Sequence, residues 1–396
     1  MSCIRIASRV GQMPRSGIRE FFELVQGRRD VISLGVGEPD FATPWHIREA
    51  AIFSLEKGHT SYTSNLGMPT LRRAIARRVA EIFHTEYDPA TDVLVTVGVS
   101  EAIDLALRAL LEEGDEVVYH EPCYVSYSPS VLLAGGVPVP IATRPEDGFA
   151  LRAEDVARAI TPRTRVLMLN FPTNPTGAVI DEVELREIAR LAIEHNLVVL
   201  TDEIYSELRY DGTPHPSIAA MPGMRERTVL MHGFSKAYAM TGFRLGYACA
   251  PQALVEAMMK VHQYGILCAP ITSQYAALEA LENGSPAIEM MRQSYDARRR
   301  FVVERLNAMG LPTFEPGGAF YVFPDIRNTG LSSRDFAARL LEAENVAAVP
   351  GDAFGPAGEG FLRCCYATGF DELREAMRRI ERFVRSLNTA TSYAAG

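Results

Sequence analysis

No uninterrupted apolar run in the 396-residue chain approaches the ~18 residues that a membrane-crossing helix needs. The opening stretch, MSCIRIASRVGQMPRSG, alternates arginine with apolar residues and lacks the continuous apolar centre of a secretory leader. Cysteine is sparse. Cys3, Cys123, Cys249, Cys268, Cys364 and Cys365 fit no C-x-x-C spacing for zinc or redox work, so no metal site is expected. Together these features lead us to expect a cytoplasmic chain with reduced thiols. Basic charge is also short: the formal net charge of −9 argues against a nucleic-acid binder, which would need a basic face. With 24 prolines and 30 glycines, low complexity and collagen repeats are both excluded. What is present is an ordinary globular balance, 47% hydrophobic and 22% charged, long enough for two or three structural units.

The middle of the chain alternates short β-rich runs with longer helical patterns. DVLVTVG predicts a strand, SEAIDLALRALLEEG an amphipathic helix ending at Gly114, and DEVVYHEP and VPVPIAT two further strands. TRVLMLNFP, a helix over ELREIARLAIEHN, LVVLTDEIY, TVLMHGFS and RLGYACA continue the series. Near-continuous Val/Ile/Leu runs between helices predict βαβ units with parallel strands covered on both faces. From about Asn283 the pattern becomes a long helix, roughly 286–309, followed by mixed strands and helices. SGIREFFELVQG near the start predicts another amphipathic helix. The fold class expected is therefore α/β. A large domain over 46–283 carries a mostly parallel seven-stranded sheet between helices, and a smaller α+β domain is made from 1–45 and 284–396.

Several motif fragments carry no chemistry. Ser54-Leu-Glu-Lys57 lacks the companion motifs of an S-x-x-K enzyme, and Gly98-Val-Ser100-Glu-Ala102 ends in alanine where a nucleophile elbow needs glycine. Gly35-Val-Gly37 begins like a dinucleotide fingerprint, but Asp40 replaces the third glycine and no helix follows.

The informative segment is MHGFSKAYAMTGFRLGY, with Lys236 just past a strand and Arg244 eight residues later. Apolar surroundings lower the pKa of an amine, as an imine-forming lysine requires. Asn174 in FPTNPTG, with Asp202 and Tyr205 in TDEIY, stands at the ends of other strands, where parallel sheets collect their ligand groups. A lysine, an aspartate, a tyrosine, an asparagine and a phosphate-binding arginine are the groups that pyridoxal 5′-phosphate needs. Gly98-Val99-Ser100 opens a helix whose positive end suits a phosphate.

With NPTG, DEIY and SKAYAMTGFRLGY in that order, the chain resembles the fold type I, class I/II, aspartate-aminotransferase-like enzymes, and the resemblance runs from LGVGEPDFATP to FLRCCYATG. It implies a pyridoxal-phosphate cofactor, a small domain built from both chain ends, and a homodimer with shared active sites. It further implies Lys236 as the imine-forming catalytic lysine and Asp202 as the partner of the ring nitrogen. Tyr205 and Asn174 would partner the phenolic oxygen, and Tyr124 would stack on the ring. Val99, Ser100 and Arg244 would form the phosphate cradle, and Tyr62 would reach the phosphate of a neighbouring subunit. Arg363 would bind the substrate α-carboxylate, assisted by Gly37 and Asn174. The family's phosphate-binding hydroxyl three residues before the lysine is replaced here by Gly233, with Ser235 as its substitute. Phe243 stands where many relatives have tryptophan.

The activity implied is ping-pong transamination between an L-amino acid and a 2-oxo acid, aspartate or another amino acid with 2-oxoglutarate. The alternative is a pyridoxal-phosphate C–S β-lyase, which would release ammonia without an acceptor. A cofactor-sensing transcription regulator would need an N-terminal DNA-binding module that the first ~30 residues are too short to hold. The partners expected are small-molecule amino acids and 2-oxo acids, with no nucleic acid and no membrane.

Overall fold

The computed structural model describes residue 4, residues 6–11, 13, 15, 17–19, 25, 28 and 30–394. Most of the helix expected within SGIREFFELVQG lies outside those residues. A short strand β1 (Ile32–Ser33) precedes the main sheet, formed by β2 (Val93–Thr96), β3 (Glu116–Glu121), β4 (Val137–Ala142), β5 (Thr164–Asn170), β6 (Val198–Asp202), β7 (Thr228–Gly233) and β8 (Gly246–Cys249). The sheet order is β2-β8-β7-β6-β5-β3-β4. Strands β3 to β7 run parallel, whereas β8 is antiparallel to both of its neighbours. The fold is thus α/β around a mostly parallel seven-stranded sheet.

Local sequence explains the placement. β7 is buried along its whole length and β5 from Val166 to Asn170, which is why they read as near-continuous Val/Leu/Met runs. β4 carries Pro138 and Pro140, which cannot donate to a ladder, and it sits at the edge with only one partner strand. One expectation fails in direction: RLGYACA does not continue the parallel series. The twelve residues between β7 and β8 hold no α-helix, only a single 3₁₀ turn at Thr241–Phe243. Without a crossover helix the chain returns alongside β7 in the opposite sense. The helix read over SEAIDLALRALLEEG occupies Gly98–Leu110 and stops short of Gly114. It buries Ala102, Ile103, Leu105, Ala106 and Leu107 on one face, and Glu101 reaches back to accept from the Val97 amide at its start.

The second layer is built on β9 (Tyr321–Val322), β10 (Val346–Ala347), β11 (Val349–Pro350) and β12 (Leu362–Cys365). β11-β12-β9 form an antiparallel sheet, while β1 pairs in parallel with β10. Leu34 bridges the two sheets, its amide donating to Ala347 O at 2.8 Å and its carbonyl accepting from the Cys365 amide at 2.7 Å. The segment Gly35-Val36-Gly37 is thereby pinned beside β12. The helices Ser285–Ala308, Ser333–Glu344 and Phe370–Ala394 enclose this layer, burying Phe336, Leu340, Met377, Ile380 and Phe383.

Candidate active site

Because β3 to β7 are parallel, their carboxyl ends meet on one side of the sheet. There the chain forms a cleft of about 320 Å³, lined among others by Gly37, Val99, Ser100, Tyr124, Asn174, Asp202, Tyr205, Ser235, Lys236, Arg244 and Arg363. Every residue given a catalytic, cofactor-binding or substrate-binding role from the resemblance is in that lining except Tyr62, which is 83% exposed.

Lys236 follows β7 directly, and its Nζ donates to Gly37 O at 2.6 Å. Burial, the largest effect, together with the nearby Arg363 and Arg244 cations, outweighs the opposing Cys365 and Glu38 and lowers its pKa to about 8. Arg363, on β12, is 2% exposed. Its Nη1 donates to Asn174 Oδ1 at 3.0 Å and its Nη2 to Gly35 O at 2.5 Å, while its Nε has no partner. The guanidinium lies over the rings of Tyr321 and Phe354, 4.6 and 4.8 Å from their centroids. Two cations are therefore held by carbonyl oxygens of one tripeptide, 35–37, and among the described residues no acidic side chain bonds either.

Asp202 ends β6 and is 5% exposed. Its Oδ2 accepts from the Tyr127 hydroxyl at 2.8 Å and its Oδ1 from the Ile204 amide at 3.2 Å. Burial raises its pKa to about 6 despite these two bonds, which act in the opposite direction. Asn170, the last residue of β5, fixes the strand end by donating to Asp202 O at 2.9 Å. Tyr205 shares a hydroxyl–hydroxyl bond of 2.8 Å with Tyr321, and burial drives its phenol well above its ordinary pKa.

At the other end of the cleft, Gly98 starts its helix at φ +75°, a conformation costly for any other residue. A Cβ there would meet Arg244 Nη2 at 2.8 Å, and one at Gly246 would meet the Val99 amide nitrogen at 2.7 Å. The two glycines thus clear the space in which Arg244 faces the helix N-terminus. Arg244 itself holds φ +51° and donates from Nη1 to Thr241 O at 3.0 Å.

Sequence reasoning missed Tyr127, Asn170 and Tyr321. Asn170 was legible as a polar residue ending an apolar strand; Tyr127, whose ring meets that of Tyr124 edge-on at 5.7 Å, carries no signal of its own in the sequence. Tyr321 sits in the apolar run AFYVF, which offers no signal. Among the described residues no group of three or more His, Cys, Asp or Glu side chains is arranged to hold a metal. Among the described residues no helix is long and apolar enough to cross a membrane.

The family model for aminotransferases of class I and II matches residues 29–380. A putative aminotransferase of Bacillus subtilis is 52% identical over 375 residues, covering 95% of this chain and 97% of that protein. The crystal structure of an aromatic aminotransferase from Pyrococcus horikoshii superposes with a TM-score of 0.89 at 47% identity, over 93% of this chain and all of the other. An aspartate aminotransferase from Thermus thermophilus, solved with maleate, gives 0.91 at 40% identity over 96% of this chain and all of the other. With a matching model that spans most of its length, relatives of this identity and a cleft of this composition, the chain belongs to the class I and II aminotransferases, which depend on pyridoxal 5′-phosphate.

Proposed function

We propose that the cleft binds pyridoxal 5′-phosphate between Lys236, Asp202 and the Gly98 helix, and transfers the amino group of an L-amino acid held by Arg363. The observation that carries this reading is the pair of cations, Lys236 and Arg363, held by carbonyls of 35–37 and by Asn174 rather than by carboxylates. A buried cation without a counter-ion is costly, and a carboxylate arriving beside a reactive amine relieves that cost. An α-amino acid supplies such a carboxylate together with the amine to be transferred.

The donor set suits the cofactor. Arg244 and the Val99 amide border the space kept open by Gly98 and Gly246, and Ser100 lines the same cleft, a set of donors that suits a phosphate. Asp202, fixed by Tyr127 and the Ile204 amide, is a buried acid able to hold a proton on a pyridine nitrogen. Tyr205 and Asn174 would hydrogen-bond the phenolic oxygen, and Tyr124 would cover the ring. When bound, the cofactor supplies an aldehyde that condenses with amines and a ring that takes up the electrons released at the α-carbon. The chain's own part is positional. Arg363 grips the α-carboxylate through its two Nη atoms, Asn174 fixes the guanidinium, and the Lys236 amine removes the α-proton and returns it. With an amine pKa near 8, a useful fraction of Lys236 is unprotonated at neutral pH.

For the donor side chain we favour an aromatic residue. Ile18, Val36, Tyr124 and Tyr321 line the cleft, and among the described residues its only lysine or arginine side chains are the three already engaged. Aspartate is the second reading, favoured by the likeness to the Thermus thermophilus aspartate aminotransferase. A homodimer is proposed from the family membership, and the exposed side chains of Trp45, Phe53, Leu55 and Tyr62 are candidates for burial in it. In that arrangement Tyr62 would serve the partner's phosphate. Residues 1–45 and 284–396 would form the small domain against 46–283. Free thiols at Cys123, Cys249, Cys268, Cys364 and Cys365 support a cytoplasmic location.

The test is a panel of L-amino acids with 2-oxoglutarate, following the absorbance of the bound cofactor and the 2-oxo acid product. Phenylalanine or tyrosine turning over faster than aspartate supports the aromatic reading, and the reverse order supports aspartate. Ammonia release without an acceptor would contradict transamination at this site.

A further inference from the structure

Tyr321 lines the cleft and touches three of the groups that serve cofactor and substrate. It is 1% exposed and begins β9, opposite Cys365 on β12 and therefore two residues from Arg363. The face of its ring carries the Arg363 guanidinium at 4.6 Å. Its hydroxyl meets the Tyr205 hydroxyl at 2.8 Å. That same hydroxyl packs so closely on Gly37 that a Cβ there would come within 2.5 Å, and Gly37 O is the acceptor for Lys236 Nζ.

We propose that Tyr321 is a positioning residue with two separable functions: its ring holds the carboxylate-binding arginine, and its hydroxyl fixes and polarises Tyr205. The inference rests on the cofactor reading above. Tyr205 has one proton to donate; if it gives that proton to the cofactor's phenolic oxygen, its own oxygen must accept from a neighbour. Tyr321 is the hydroxyl within reach. Donation by Tyr321 strengthens donation by Tyr205, because hydrogen bonds in a chain polarise one another. The ring acts independently. A guanidinium with one unpartnered nitrogen needs a surface to define its plane, and an aromatic face attracts it without competing for the carboxylate. Position 321 therefore couples the substrate end of the cleft to the cofactor end through a single rigid side chain.

Tyr321→Phe and Tyr321→Leu separate the two functions in the holoenzyme. Three readings are taken: the pH midpoint of the bound cofactor's absorbance, the dissociation constants of 3-phenylpropanoate and succinate as carboxylates without an amine, and the split of kcat from KM. Tyr321→Phe keeps the ring, so carboxylate affinity should stay within about twofold, a change below one weak contact. Its absorbance midpoint should rise by about 0.5–1 pH unit, the size of one lost hydrogen bond, and kcat should fall more than KM rises. Tyr321→Leu should show the same rise and also bind both carboxylates about 5–30-fold more weakly. An unchanged or lowered midpoint in Tyr321→Phe overturns the proposal, as does a loss of carboxylate affinity in Tyr321→Phe equal to that in Tyr321→Leu. Should Tyr321→Leu fail to fold, the midpoint in Tyr321→Phe still decides. If the wild-type protein took up no cofactor at Lys236, the reading of the cleft would fail instead, and the two failures are distinguishable.

Discussion

Replacing Arg363 by methionine tests whether this buried cation serves the substrate or the fold. The side chain is 2% exposed, makes two hydrogen bonds to neutral oxygens, and forms no ion pair with any described residue. Breaking a buried ion pair by removing one partner costs about 3–5 kcal/mol, but no such pair exists here. Methionine would fill much of the same volume against Tyr321 and Phe354, relieving about 1–4 kcal/mol of charge burial. Against that, Asn174 Oδ1 and Gly35 O would lose a donor each, about 1–2 kcal/mol apiece. The two effects nearly cancel, so the melting temperature of the substrate-free protein should move by only a few degrees in either direction. Carboxylate binding should respond very differently. Truncating one side of a buried charged contact costs about 2–5 kcal/mol, which is roughly 30- to 5,000-fold in affinity. The assay pairs thermal unfolding with binding of 3-phenylpropanoate and succinate to the holoenzyme. Affinity within threefold of wild type, or a large fall in melting temperature with affinity retained, would refute the assignment and make Arg363 structural.

Three other outcomes follow from the same geometry. With a pKa near 8, about a tenth of Lys236 is unprotonated at pH 7, against about three in ten thousand for an ordinary lysine, so incorporation of cofactor into the cofactor-free protein should accelerate up to about pH 8 and then level off. A rate still climbing at pH 10 would mean an unperturbed amine. Tyr127→Phe removes the hydroxyl that opposes the upward shift of Asp202; with the wild-type carboxyl titrating near pH 6, the variant should bind cofactor markedly less well than wild type at pH 6 and nearly as well at pH 8. Equal affinity ratios at both pH values, by equilibrium dialysis, would separate Asp202 from the ring nitrogen. Gly246→Ala drives a Cβ into the backbone of Gly98 and Val99, at 2.8 and 2.7 Å, where nothing flexible can yield, so cofactor should leave on dialysis at least tenfold faster. Unchanged retention would remove the Gly98 turn from the phosphate site.

The strands that position the cleft were legible because parallel strands buried on both faces must be apolar throughout, and VLMLN and VVLTD carry that pattern with a polar residue at the end. Asp202, Asn174 and Lys236 were found for the same reason: a charged or amide group at the end of an apolar run has no packing explanation. Arg363 lies inside β12 and was legible only through the family resemblance. Direction was not legible. RLGYACA reads alike whether its strand is parallel or antiparallel, and only the missing crossover helix decides. Tyr321 and Tyr127 were invisible because a tyrosine beside phenylalanine, serine and valine is chemically indistinguishable from core until its hydroxyl has a partner. The two-residue strands β1, β9, β10 and β11 are too short for any periodicity, and their pairing depends on distant backbone partners such as Leu34 and Ala347.

The chain holds only three lysines, Lys57, Lys236 and Lys260. The first and last are exposed. Borohydride reduction of the purified holoenzyme followed by peptide mass mapping therefore addresses the central assignment directly. One pyridoxyl adduct per chain is expected, on the peptide that contains Lys236. An adduct on Lys57 or Lys260, or none at all on a cofactor-saturated protein, would contradict that assignment.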